Sequence, residues 1–478
     1  RDFGKRFSYI PGIPNVHLAY VAGRHTLGRT GIRSMISPNV FDLKRVDSAR
    51  HGGTLIAGPR PQTVAGASAL YTGLSQGVTA EQAEWPNVPT GQIDQNRRMA
   101  GAEILISKNA DVVIVGGGVI GCSIAYQLAK QGIRATVLER GRFGSGASGA
   151  TAGVIGPLWH LDPAHKAVFG LGIRSLDLFP LLASELAEGG VDPEFQHRGI
   201  LKVAFTPAQV DELKRNLTWQ GELGLGVRWL DAPEIRELEP EVSDGLLGGV
   251  FSPREGCVNG QRLVDALVHA ATGLGAVFLE ETEVTGLEIS GQSVVGVRTL
   301  TGSYQCGHTV LAAGPWTGIP GRWLPQALPI SPVKGQRILL RKPGFLPKCP
   351  VRSFEGYVVP QADSSLLVAA TREEGAFDVR ITVDAIRQLL ATAIGLFPAL
   401  EDASFVGARA GVRPGSPDGI PIMGPLPGWD GVSIACGHDH AGVMLSPGSA
   451  ELVASYILDG DPRSLEAFSI SRFDAPAS

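Results

Sequence analysis

Residues 111 to 139 hold a strand, a glycine turn, a helix, a second strand and a terminal acid, in that order. Asp111-Val-Val-Ile-Val115 is a β-branched run suited to a buried parallel strand. Gly116, Gly118 and Gly121 follow as GxGxxG, and Ile124, Ala125, Leu128 and Ala129 recur at helical spacing before Gly132. Ala135-Thr-Val-Leu-Glu139 reads as the second strand and ends in an acid 18 residues after Gly121. Gly116 permits a tight turn, Gly118 lets the backbone approach a pyrophosphate, and Gly121 lets helix and strand pack closely. The helix N-terminus offers free N–H groups and a positive dipole end. Glu139 can accept bonds from ribose hydroxyls and would repel a 2′-phosphate. A GxGxxG alone says little; the five parts in order specify a dinucleotide-binding fold.

Composition narrows the class further. The 478 residues are 44% hydrophobic and 18% charged, enough apolar content for a sizeable core. There is no run of 18 apolar residues, so no membrane-spanning segment is expected. Five scattered cysteines without CxxC spacing exclude a disulfide scaffold and a structural zinc site, and they favour a reducing cytosol. A net charge of −4 leaves the whole chain without a nucleic-acid footprint. Residues 1–98 differ from the rest: 12 Lys/Arg against 6 Asp/Glu, many prolines, and no sustained periodicity. They read as a disordered or non-native extension ahead of Met99; a targeting segment and a functional basic arm remain open.

Downstream, Gly144-Ser-Gly-Ala-Ser148-Gly-Ala-Thr151-Ala-Gly153 is a loop of small residues and hydroxyls that could wrap a second face of a pyrophosphate. Thr309-Val-Leu-Ala-Ala-Gly314 is a buried-strand pattern ending in small residues, then Pro315 and Trp316. With the run GVRPGSPDGIPIMG at 411–424, these segments resemble FAD-dependent D-amino-acid oxidase-like enzymes. Within that family they look most like the glycine oxidases of thiamine biosynthesis. Pro332-Val-Lys-Gly-Gln336, Gly356-Tyr-Val-Val-Pro360 and Leu396-Phe-Pro-Ala-Leu400 support the resemblance, which spans about residues 110–460.

The resemblance implies an α/β fold: a Rossmann-type FAD-binding domain in segments 99–190, 255–325 and 405–478, and a mainly antiparallel substrate domain in 191–254 and 326–404. It implies non-covalent FAD, since no cysteine lies just before the Pro-Asp pair of the 411–424 run. Implied cofactor contacts from the fingerprint are Gly116, Gly118, Val119, Ile120, Gly121, Glu139 and Arg140. The small-residue loop adds Ala147, Ser148, Thr151, Ala152 and Gly153, and Val284 would meet the adenine. Ala313, Gly314 and Trp316 would follow, with Gly442, Val443 and Met444 near the flavin ring. A small amino-acid substrate, O2, a homo-oligomer and a cytoplasmic location complete the expectation.

Amine oxidation needs a cation for the substrate carboxylate, and Arg413 has the planar fork that matches one. Tyr357 matches a pocket tyrosine. Two departures from the glycine-oxidase pattern concern the site: His440 stands where an Arg is usual, and Arg372 where an apolar residue is. Arg372 either points inward as a second cation or outward to solvent. His438, Asp439 and His440 are too close in sequence to converge on one metal ion. A dehydrogenase of D- or N-substituted amino acids that passes electrons to a quinone or partner subunit is the alternative reading. A flavoprotein without turnover is a third.

Overall fold

Asn109–Val115 forms the central strand of an eight-stranded sheet, pairing in parallel with Ala135–Leu138 on one side and Gly302–Leu311 on the other. This computed structural model describes residues 109–319, 321–375 and 377–474; the expectations for 1–98 lie outside them. The parallel layer continues to Val277–Leu279 and to Val432–Cys436, with Ile422–Pro425 antiparallel at the edge. The hairpin Val284–Ser290 and Ser293–Thr299 adds the last two strands.

The helix Val119–Lys130 leaves the sheet through the glycine turn. Gly116 has φ +110°, and a Cβ there would lie 2.4 Å from the Ala312 carbonyl oxygen. At Gly121 a Cβ would lie 2.1 Å from the Gly116 oxygen, so only glycine lets this helix descend onto its strand. The helix Gly442–Asp459 packs beside it, as does Gly260–Gly273. Two helices, Lys166–Glu188 and Asp439–Asp459, reach membrane-crossing length and hydropathy, which the absence of a long apolar run did not anticipate. Both supply buried side chains to the main core, the second through Val443, Met444, Leu445 and Val453, so burial accounts for their apolar character.

A second, nine-stranded sheet has the order 373–374, 331–341, 366–369, 357–360, 351–352, 200–204, 248–252, 228–230, with 404–415 also paired to 331–341. Its ladders are antiparallel apart from Val351–Arg352 against Ile200–Ala204. The fold is thus mixed α/β, with one parallel and one mainly antiparallel sheet. Ser404–Gly415, which the sequence reading sets mostly with the FAD-binding segments, runs along Ser331–Arg341 in the second sheet. It bonds there because the two strands match over nearly their whole length.

Beneath the junction lies a buried polar group of residues. Lys202, 1% exposed, faces the rings of Phe354 at 4.2 Å and Trp159 at 5.3 Å, and burial with Arg352 nearby pulls it down to about 7. Glu255, fully buried, accepts the Leu158 N–H at 2.9 Å, and burial pushes its carboxyl up to about 8. Arg352 donates to the Trp159 carbonyl at 3.2 Å and reaches His160 Nε2 at 3.3 Å.

Glu255 binds its proton more tightly folded than unfolded. Its stabilising contribution is therefore full below about pH 4.5 and lost as pH rises through about 8. Lys202 acts in the opposite sense, but only above about pH 7. Glu255→Gln keeps the shape without the titration, so its stability relative to the parent should rise between about pH 5 and 7. Urea unfolding at several pH values measures this; a constant difference would show that Glu255 is ionised in the fold.

Candidate active site

Residues of both sheets line a cavity of about 750 Å³. At the fingerprint, Gly116, Gly118, Val119 and Ile120 form its wall, with Glu139 and Arg140 from the end of the second strand. The Val119 N–H donates to Ser148 Oγ at 2.9 Å, which fixes the small-residue loop against the helix N-terminus. Glu139 accepts the Gly117 N–H at 2.8 Å and the Gly141 N–H at 2.9 Å, so its carboxylate is held at the strand end. Arg140 lies 3.8 Å above the Trp316 ring.

Ala147, Ser148, Thr151 and Ala152 line the same cavity, as do Val284, Ala313, Gly314 and Trp316. Gly442 and Val443, at the start of another helix, close it. Three expected contacts do not reach the wall. Gly121 packs onto Gly116, Gly153 abuts the Val258 carbonyl, and Met444 is 2% exposed within the core. The donor set fits a dinucleotide: a helix N-terminus for pyrophosphate, an acid for ribose hydroxyls, and small residues that leave room.

Arg413, Tyr357 and His440 also line the cavity. Arg413 sits opposite Val333 in the paired strands, and its guanidinium lies flat over Gly335. A Cβ on Gly335 would fall 2.1 Å from Arg413 Nη2. Nη1 donates to the Thr371 carbonyl at 3.1 Å. Burial draws the guanidinium below its ordinary value, while Asp439 and Tyr357 hold it up; it stays cationic. The Tyr357 ring meets His160 edge-on at 6.1 Å, with the Arg352 guanidinium 5.8 Å away. Burial, then Arg352 and His440, depress His160 well below the ordinary histidine value, so it is neutral.

The loop 438–441 distributes its side chains in three directions. His438 is buried with Nε2 on Ser449 Oγ at 3.0 Å, and burial lowers it to about 3. His440 places Nε2 3.3 Å from the His160 carbonyl and Nδ1 3.6 Å from Asp439 Oδ2. Arg372 does not line this cavity. It is one-third exposed, pairing with Asp439 at 2.7 Å and Glu374 at 3.3 Å, and it belongs to the wall of a second cavity. Neither of its two sequence alternatives is the outcome: it is an ion-paired residue at the rim.

Sequence reading missed Arg322, Arg337, Asp439 and Cys436, all on the cavity wall. Arg322 donates to Glu283 at 2.6 Å and to the Val284 carbonyl at 3.0 Å. Arg337 donates to the Gly149 carbonyl at 2.8 Å, and burial beside Arg409 lowers it to about 9. A lone arginine in the strand Gln336-Arg-Ile-Leu-Leu340 was the available signal. Cys436 donates to the Gly314 carbonyl at 3.1 Å, and burial raises its thiol to about 11.

A family model described as FAD dependent oxidoreductase matches residues 111–456, and one described as pyridine nucleotide-disulphide oxidoreductase matches 72–146. The chain is similar to the glycine oxidase of Geobacillus kaustophilus, 36% identical over 350 residues, 73% of this chain and 92% of that one. It is also similar to the bifunctional protein ThiO/ThiG of Trichormus variabilis, 34% identical over 77% of this chain and 56% of that protein. A crystal structure of glycine oxidase from Geobacillus kaustophilus matches with a TM-score of 0.73 and 34% identity, over 77% of this chain and 100% of that one. The fingerprint, the cavity it opens and the extent of these matches agree: the chain belongs to the D-amino-acid oxidase family of FAD-dependent oxidoreductases and is an FAD-dependent amino-acid oxidase.

Proposed function

We propose that this enzyme oxidises glycine and other small amino acids to the imine, which water converts to the oxo acid and ammonia. O2 takes up the electrons as hydrogen peroxide. The observation that carries this reading is Arg413, a buried cation laid flat over Gly335 on the cavity wall. Its fork can grip a carboxylate through two parallel bonds. Tyr357 on the same wall, with the neutral His160 edge-on to its ring, gives that region an aromatic side suited to a small amine. Bound FAD supplies the hydride acceptor at flavin N5. The start of the helix Gly442–Asp459 at the cavity offers a positive dipole end that favours negative charge.

FAD is held without a covalent bond in this reading, because the cavity-lining cysteine is a protonated donor to Gly314. The five free cysteines among the described residues support a reducing compartment. The resemblance to glycine oxidases and to the bifunctional protein ThiO/ThiG supports a role for the reaction in thiamine thiazole formation.

Anaerobic titration with glycine, sarcosine and D-amino acids, followed by admission of air, tests the proposal. Glycine should bleach the flavin band, and air should restore it with stoichiometric peroxide. Bleaching without prompt recovery would replace oxidase by dehydrogenase. Arg413→Ala should raise KM for glycine about 10²-fold, as expected when a charged hydrogen-bonded pair is lost. Gly335→Ala should move KM in the same direction by displacing the guanidinium; an unchanged KM in both would remove Arg413 from the site. Glu139→Ala should weaken FAD retention on gel filtration by about tenfold, the loss expected for a charged hydrogen bond. Acid precipitation should leave the yellow colour in the supernatant.

A further inference from the structure

The strand Ser331–Arg341 has two faces. Gly335, beneath Arg413, and Arg337 share one; Lys334 and Gln336 lie on the other. Lys334 and Gln336 are 2% and 1% exposed. A buried ammonium and a buried amide are costly unless they are bonded, and both are bonded to the same segment. Gln336 Nε2 donates to Glu373 Oε1 at 2.5 Å and to Thr382 Oγ1 at 3.1 Å, and its Oε1 accepts the Thr382 N–H at 2.8 Å. Lys334 Nζ lies 3.3 Å from Glu373 Oε2 and 3.7 Å from Asp378 Oδ2. Residues 377–382 are thereby tied to this strand near their start, at Asp378, and at their end, at Thr382.

The tied segment carries an apolar residue at every second position, Phe377, Val379 and Ile381, and the alternation continues to Val383 at the start of the next helix. All four are exposed. Phe377 and Val379 line the main cavity and are nevertheless 46% and 58% exposed; Val383, beyond the last tie, does not line it. The Phe377 ring lies 5.8 Å from the Trp316 ring, and Trp316 in turn carries the Arg140 guanidinium. The segment thus reaches the residue that follows Glu139, at the part of the cavity built by the fingerprint. Two buried polar side chains hold open apolar surface over the dinucleotide cavity, and a group that fills the cavity removes that surface from water.

We infer that residues 377–382 form a strap that retains FAD: Phe377 and Val379 cover part of the bound dinucleotide, and Lys334 and Gln336 hold them in place. The strap acts on the cofactor whichever amine is oxidised, so it goes beyond the proposed reaction and does not depend on it.

The test follows release of FAD from the holoenzyme after dilution, read as the rise in flavin fluorescence. Phe377→Ala should release FAD about tenfold faster, the size expected when the burial of a half-exposed aromatic side chain is lost. Phe377→Leu, which stays apolar, should return the rate to near that of the parent. Lys334→Met, which frees Asp378 but keeps an apolar stem, should also speed release. Val383→Ala, on the same alternation but outside the cavity, should release FAD at the parental rate. An unchanged rate in Phe377→Ala would overturn the inference. So would a Leu variant as fast as the Ala one, because apolar cover would then not be the cause, or an equally fast Val383→Ala, which would mark a general loosening. Phe377 is exposed and its substitution spares the core, so it decides the matter if Lys334→Met fails to fold.

Discussion

The site depends on one ladder, the antiparallel pairing of Ser331–Arg341 with Ser404–Gly415. Its register sets Val333 opposite Arg413, Gly335 opposite Gly411 and Arg337 opposite Arg409. Alternate residues share a face, so these six positions form one patch. Gly335 receives the Arg413 guanidinium, and Gly411 receives Ala150, since a Cβ there would lie 2.5 Å from the Ala150 Cβ. Arg337 and Arg409 donate to the Gly149 and Ser145 carbonyls at 2.8 and 3.1 Å. A slip of one residue would turn all of them to the opposite face. A single register therefore both seats Arg413, the proposed carboxylate clamp, and holds the loop that closes on the dinucleotide site.

That loop is fixed from the other side as well. Gln261 donates to the Phe143 carbonyl at 3.0 Å, and Gly260 approaches so closely that a Cβ would lie 2.4 Å from the Ser148 oxygen. Ser148 then reaches the first N–H of the fingerprint helix. The parallel sheet, the helix beginning at Gly260 and the antiparallel sheet thus converge on residues 144–153. Small residues dominate there because three backbone surfaces approach at once.

What could be read from sequence was what lies close in sequence. The fingerprint is local: its strand, turn, helix and acid touch one another within one βαβ unit, so spacing alone carries the geometry. Arg337 and Asp439 could not be read, because their meaning comes from residues 188 and 67 positions away, Gly149 and Arg372. The pairing of 404–415 with 331–341 was hidden in the same way. Pairing between distant strands leaves no periodic trace in a sequence, and chain order set 404–415 with its neighbours. The resemblance to a family supplied Arg413 and Tyr357, which no spacing rule would have joined.

The charges on the wall form an ordered sequence rather than a scattered set. Glu139 is anchored by two backbone amides and Glu283 is paired with Arg322, so their negative charge is partly offset at the wall. Arg337 and Arg413 are buried cations with their carbonyl contacts on the protein side. The net field along the wall is therefore positive, as an anionic dinucleotide and a carboxylate substrate both require. Asp439 interrupts that field at the end occupied by Arg413, Tyr357 and His440. Arg372 pairs with that anion at 2.7 Å from outside the wall, so the excess of cations along the wall is little reduced there.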